Sequence, residues 1–498
     1  METHIIIIGS GLGGLTCGYI MAKNGYKVTV LEKNVQLGGC LQTFARRGVK
    51  FETGVHYIGS MEKGQLLHHF FKYLNLLPDV KLRQLNCEAY DLISIGGERF
   101  PFANGIENFT EKLAQYFPAE KDNLRRYWQA IREVVESSPL HSLRTTGEPV
   151  ILNPNHVKQS YDHFLESVTG DEQLRLVLAG NLPLYAGERG KTPMYISAFI
   201  NDFYNRSACR IVGGGETVAF SLVKSIRAMG GNVLPSAEVV KINCNDKQAV
   251  SVSLKNGETI DGDYFISNMH PARMVEIVES NILRKSYRDR IVHLNNTVSN
   301  FTVYIAFKKD SVPYFNSNFY HYDTPADVWR GKNYEQASYP CSFLYMHLCS
   351  SENQQFADAA VLISYMNFED VSQWAGTKVG RRGADYENFK KETAEKLLDL
   401  LEKQIPDTQQ NIEYYYTSSP LTYLDYTGTE RGSMYGVLPD CNESIHSLVS
   451  QRTRIPNLFQ TGQNVNSHGI LGVIIGSIIT CGELLGVNNI VEQIKNTD

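Results

Sequence analysis

Residues 5–33, IIIIGSGLGGLTCGYIMAKNGYKVTVLEK, constrain the fold more than any other stretch of the chain. Four isoleucines in a row are too short for a helix and strongly β-branched, which predicts a strand buried on both faces in a parallel sheet. Gly9, Gly11 and Gly14 follow as G-x-G-x-x-G. Between a strand and a helix such glycines provide a tight turn, close approach of backbone to a pyrophosphate, and close helix–strand packing. The spacing predicts a helix over 12–24, whose N-terminus offers bare N–H groups and partial positive charge to phosphate. A second apolar run over 26–31 ends on Glu32. This acid lies about 20 residues past the glycines, where a carboxylate bonds ribose hydroxyls and repels a 2′-phosphate. Strand, helix, strand and acid in this order predict a dinucleotide-binding βαβ unit.

The 498 residues suffice for two or more domains with a large core. A formal charge of −5 gives no global basic field, so nucleic acid is not an expected partner. Nine cysteines without a C-x-x-C pair fit a reducing compartment rather than a disulfide framework or zinc site. Met1 to His4 lead directly into the first strand, which predicts no signal peptide. The apolar stretch 469–481 is glycine-interrupted and too short to span a bilayer. These features predict a cytoplasmic protein, with peripheral contact as its form of membrane association. Residues 66–77, LLHHFFKYLNLL, read as an amphipathic helix. Adjacent His68 and His69 face different directions on it, so no metal is expected. The same helix, with Leu66, Leu67, Phe70, Phe71, Leu74 and Leu77, is a candidate lip for a membrane-borne ligand or else plain core.

The dinucleotide is decided downstream. Residues 36–59 read QLGGCLQTFARRGVKFETGVHYIG, and residues 210–242 carry Gly213-Gly214-Gly215 and Gly230-Gly231. The triple glycine is not a second fingerprint, because Val218 occupies the place of its last glycine. TIDGDYFISNMHP (259–271) reads as a strand with an Asn-x-x-Pro exit. Asn457 to Gln463 read as a strand entering a turn, followed by a helix-like segment, NVNSHGILGVIIGSIITCGELLG. This set resembles the amine oxidase and phytoene desaturase flavoproteins, and within them the retinol saturase branch of the phytoene desaturase and carotenoid isomerase family. The residues that carry the likeness are Gly38-Gly39-Cys40, Phe51 to Gly59, Ser419 to Thr422, Arg431 to Gly436, and Thr461 to Val465. Cys40 stands where desaturases commonly have Arg. Glu52 replaces a usual Asp, Asn464 replaces the Asp of retinol saturases, and 200–209 lacks their histidine-rich pattern.

The resemblance implies an α/β fold in which a Rossmann-like FAD-binding domain is interleaved with an α+β substrate domain. The implied segments are 1–89, 205–284 and 421–498 for FAD, and 90–204 and 285–420 for substrate. It implies FAD contacts from Gly9, Ser10, Gly11, Leu12, Gly13, Gly14, Glu32, Lys33, Gly38, Gly39, Cys40, Gly54, Val239, Gly462, Gln463, Gly469 and Ile470. Gln463 replaces an acid on the ribityl hydroxyls of many relatives, with equivalent hydrogen bonding. The implied substrate is a hydrophobic polyene or isoprenoid, reduced at a carbon–carbon double bond; desaturation or isomerisation of a carotenoid is the alternative. A flavin-free lipid escort would need a decayed phosphate loop, whereas all three glycines and Glu32 are present. Candidates for the proton-handling group are His56, Tyr57, Tyr435 and His468. NAD(P)H has no loop of its own, so the reductant is expected to be either NAD(P)H as a transient visitor to the flavin's pocket or another electron carrier. In the substrate segments, 299–309 (SNFTVYIAFKK) alternates like a strand with one apolar face. Tyr386, Phe389, Leu397, Leu401 and Ile405 share one face of a helix over 386–405.

Overall fold

The isoleucine run forms strand His4–Ile8 in a five-stranded, all-parallel sheet. Across the sheet lie Asn232–Leu234, Lys27–Leu31, His4–Ile8, Tyr264–Ser267 and Leu458–Gln460. The computed structural model describes residues 2–145, 154–465 and 467–497. Ile5, Ile6 and Ile7 have no exposed surface, as a strand covered on both faces requires. Helix Leu12–Lys23 follows the glycine turn and packs between helices Glu216–Ala228 and Gly469–Leu485. Its glycines permit close approach: a Cβ on Gly18 would sit 3.1 Å from Ile226 Cδ1 of helix Glu216–Ala228, and one on Gly14 2.0 Å from the Gly9 carbonyl oxygen of the turn. Asn24 ends the helix by donating from Nδ2 to the Ile20 carbonyl (2.8 Å).

A second, seven-stranded sheet is ordered Ile412–Ser418, Ser299–Phe307, Ala359–Met366, Ser342–His347, Asn318–Tyr322, Asp91–Ile95, Glu98–Phe102. Its neighbours are antiparallel except Asn318–Tyr322 with Asp91–Ile95, which run parallel. Both faces of this sheet are covered. One packs on residues of helices between 106 and 206, the other on helix Ala384–Gln404. Strand Ser299–Phe307 is therefore buried at all nine positions, against the expectation of a single apolar face. Phe301, Val303 and Ile305 enter one core and Tyr304 and Ala306 the other. Tyr386, Leu397 and Leu401 do share a buried face, with Phe389 and Ile405 packed at its edge.

The proposed lip is core. Helix Leu66–Tyr73 buries Leu67, Phe70 and Phe71 completely in the cluster beneath the parallel sheet, and Leu74 just beyond it is 1 % exposed. No single helix among the described residues is long and apolar enough to cross a membrane.

Candidate functional site

A cavity of about 620 Å³ opens where four strands of the parallel sheet end, and the seven-stranded sheet forms its far wall. Ligands of open α/β sheets bind at the carboxyl ends of strands, beside the connections. From the first side come Gly9 and Gly11, Glu32 and Lys33, Asn268, and Gln463. From the far wall come Asn300, Tyr322, Leu344, Met346, Ile363 and Tyr365.

Glu32 is 5 % exposed, and its carboxylate is held by three donors. Ser10 donates to Oε2 from both its backbone N (2.9 Å) and its hydroxyl (2.8 Å). Asn34 N donates to Oε1 (2.9 Å). The Ser10 hydroxyl in turn accepts from Gly38 N (3.1 Å), tying the first glycine loop to the second. Gly11 and Gly39 meet so closely that a Cβ on Gly39 would lie 3.0 Å from Gly11 Cα. Neither Gly11 before helix Leu12–Lys23 nor His468 before helix Gly469–Leu485 supplies a side-chain cap. Both first turns keep their N–H groups for an anionic or carbonyl-bearing ligand.

The cofactor candidates divide into two groups. Gly9, Gly11, Leu12, Gly13, Glu32, Lys33, Gly39, Cys40, Gly54, Val239, Gln463, Gly469 and Ile470 line the cavity. Ser10, Gly14, Gly38 and Gly462 are not on its wall and act one layer behind. Ser10 orients Glu32, Gly14 admits the Gly9 carbonyl, and Gly38 abuts Gly11 in a parallel bridge. Gly462 leaves room for Asn268, because a Cβ there would meet Asn268 Oδ1 at 2.2 Å. Asn268 is the residue that sequence reasoning undervalued. It read as a strand exit, yet its side chain touches the space a Cβ would occupy on Gly11, Gly13 and Gly462 alike. Its position directly after a predicted strand was the available signal.

The four proton-handling candidates have different surroundings. His56 lines the cavity, with Nδ1 3.4 Å from Glu52 Oε2 and neither atom in a hydrogen bond. Burial pushes the Glu52 carboxyl above its usual range. Tyr57 lines the cavity as well; its hydroxyl meets that of Tyr320 (2.7 Å) and donates to Asp91 Oδ2 (3.2 Å). Tyr435 lines the cavity with its hydroxyl spent on the Pro183 carbonyl (3.1 Å). His468 does not reach the wall; its ring lies against Tyr435, with centroids 4.5 Å apart. Burial lowers its pKa to about 4, which favours the neutral ring near pH 7. Cys40, beside the Gln463 side chain, has its thiol pushed up to about 11 by burial and is no thiolate nucleophile.

Comparison with known proteins agrees with this architecture. Residues 7–74 match a family model described as an NAD(P)-binding Rossmann-like domain. The all-trans-retinol 13,14-reductase of Rattus norvegicus is 27 % identical over 97 % of this chain and 86 % of its own length. The chain is thus similar to that reductase along nearly all of its sequence. A chloroplastic prolycopene isomerase of Daucus carota is 22 % identical over 96 % of the chain and 79 % of that protein. An oxidoreductase structure from Methanosarcina mazei superposes with a TM-score of 0.67 at 15 % identity, covering 96 % of this chain and 99 % of its own. The fold is thus shared well beyond sequence likeness.

Proposed function

We propose that the protein is an FAD-dependent oxidoreductase that reduces a carbon–carbon double bond of a retinoid or related isoprenoid. One observation carries the reading: a single cavity joins the dinucleotide loops to an apolar wall of Leu344, Met346, Ile363, Leu184 and Met434. A polyene offers little to hydrogen-bond and suits such walls. The site fits FAD on three counts. Glu32 is fixed at one end for ribose hydroxyls. Gly11, Gly13 and Gly39 have no room for a side chain, since a Cβ there would meet Asn268 or Gly11 within 3.0 Å, so backbone alone borders the cavity at these glycines. Helix Gly469–Leu485 aims its uncapped N-terminus into the cavity, where it stabilises negative charge on a reduced ring.

FAD, when bound and reduced, supplies a hydride equivalent to an alkene carbon. The chain then has three tasks. Gln463, Cys40 and Gly54, which line the cavity, would border the cofactor; the far-wall side chains would hold the alkene and exclude water; a titratable group would deliver a proton to the neighbouring carbon. Retinol saturation is favoured over carotenoid chemistry by the rat reductase's higher identity. With no second G-x-G-x-x-G in the sequence, NAD(P)H would visit the same cavity as a transient reductant. We place the enzyme in the cytoplasm.

The test is anaerobic incubation of the reduced holoprotein with retinol and, separately, with an acyclic carotene, followed by mass spectrometry. A dihydro product from retinol supports the reading, and an isomerised or desaturated carotene favours the alternative. A protein that releases no FAD on denaturation and cannot be reconstituted with it overturns both.

A further inference from the structure

Saturating an alkene consumes one proton per turnover, and the cavity wall adjoins a buried carboxyl with a continuous hydrogen-bonded path to it. Asp91 opens strand Asp91–Ile95 and has no exposed surface. Parallel pairing sets it opposite Asn318, whose Nδ2 donates to Asp91 Oδ1 (2.7 Å). Asn318 Oδ1 accepts from Arg210 Nη2 (2.9 Å), so Arg210 orients the amide. The other carboxyl oxygen, Oδ2, lies 3.2 Å from the Tyr57 hydroxyl. Tyr57 lines the cavity, and its hydroxyl also meets that of Tyr320 at 2.7 Å. Tyr320 is paired with Leu344, a residue of the far wall, which places the whole path directly against the space assigned to the alkene.

We propose that Asp91 is the proton store of the site and Tyr57 its delivery group. This rests on the reductase reading above. With its proton on Oδ2, Asp91 donates to Tyr57, and the Tyr57 hydrogen is released from the carboxyl to turn toward the cavity. In the reductive step the alkene π bond breaks. One carbon takes its hydrogen and electron pair from the reduced cofactor, which is oxidised. The adjacent carbon takes the Tyr57 proton, and the Asp91 proton moves to Tyr57 oxygen, leaving a carboxylate. Water entering the emptied cavity restores the proton through Tyr57.

The groups facing Asp91 are compatible with a proton held near neutrality. Tyr57, Tyr90, Tyr204 and Tyr320 are neutral phenols raised by burial, and Arg210 is the one nearby cation. Burial pushes the carboxyl up to about 7, against the opposing pull of Asn318, Tyr57 and Arg210. At that value Asp91 can both hold and release a proton at physiological pH.

The test uses FAD-loaded protein without substrate as well as single turnovers. By difference infrared spectroscopy the wild type should show a carbonyl stretch of a protonated carboxyl that disappears on titration through neutrality. Asp91→Asn should abolish that band, and Tyr57→Phe should shift it. Reoxidation of prereduced enzyme by the alkene should slow by roughly 10²–10⁴-fold in each variant. The double variant should be little slower than either alone, as for residues acting in series. FAD content and reduction by dithionite should match wild type, which separates proton delivery from misfolding. A spectrum unchanged by Asp91→Asn, or single-turnover rates within a few-fold of wild type, overturns the proposal. Failure of the wild type on both alkenes overturns the reaction assigned to the site, whereas the infrared result alone decides whether Asp91 carries the proton.

Discussion

At the scale of single residues, the site is a set of groups whose neighbours decide their roles. Glu32 is held by Ser10 and Asn34 before any ligand arrives, so its removal should be felt mainly in binding. Glu32→Ala is expected to weaken FAD by about 1.5–3 kcal/mol, the weight of hydrogen bonds to a charged group. Equilibrium titration of the apoprotein measures it, with circular dichroism unchanged. His56 and Tyr57 are adjacent in sequence but differ in connection. The imidazole faces Glu52 without a hydrogen bond, while the phenol is wired to Asp91. His56→Phe is accordingly expected to shift FAD affinity or reduction potential. It should not bring the roughly 10²–10⁴-fold loss in single-turnover rate that marks removal of a general acid.

At the scale of elements, pattern and tertiary packing agree where one face is buried and diverge where two are. Helix Leu66–Tyr73 carries an apolar stripe that suits a membrane lip or a core equally well, and packing under the parallel sheet resolves it as core. Phe70→Ala should therefore cost about 3–5 kcal/mol in denaturant unfolding, in line with other large-to-small core changes. Phe70→Asp should deplete soluble folded protein. Folded Phe70→Asp protein that differs from wild type only in liposome flotation would contradict this placement. Strand Ser299–Phe307 shows the complementary case. Its even positions read as polar-tolerant, yet Asn300, Thr302 and Tyr304 are buried, with Thr302 donating to Asn300 Oδ1 (2.9 Å) and Tyr304 within 3.2 Å of the Ser418 hydroxyl.

At the scale of the whole molecule, two sheets share one cavity, and histidines are withdrawn from water in separate parts of the fold. Burial lowers His141 and His347 to about 3 and His468 to about 4. Each is neutral in the fold but takes up a proton below about 6.5 in the unfolded chain. Unfolding then binds protons, and stability falls as pH drops from 6.5 toward 4 and 3. Asp91 has the opposite sign: with its carboxyl raised to about 7, stability is lost as pH rises from the ordinary carboxylate range to 7. The three histidines outweigh it, so urea midpoints of the holoprotein should be lower at pH 5 than at pH 7. Asp91→Asn should steepen that decline, because it removes a contribution that favours the lower pH. A midpoint higher at pH 5 than at pH 7 would show that these histidines are charged in the fold.

What the sequence determined by itself was local. Strand, glycine turn, helix and Glu32 occupy some thirty consecutive positions, and the turn sterics and hydrogen bonds that define them act within that span. Which of the seventeen candidate cofactor residues face the cavity and which stand behind it was not legible in that span. Tertiary structure alone decided the rest. Asn268 meets the first glycine loop, His468 lies behind Tyr435, and Asp91 reaches Tyr57 through pairings that join residues far apart in the chain. Asp91, Arg210 and Asn318 carry no common motif; strand register brings them together. A buried charge is tolerated only where such distant partners satisfy it, and spacing along the chain does not record which partners those will be.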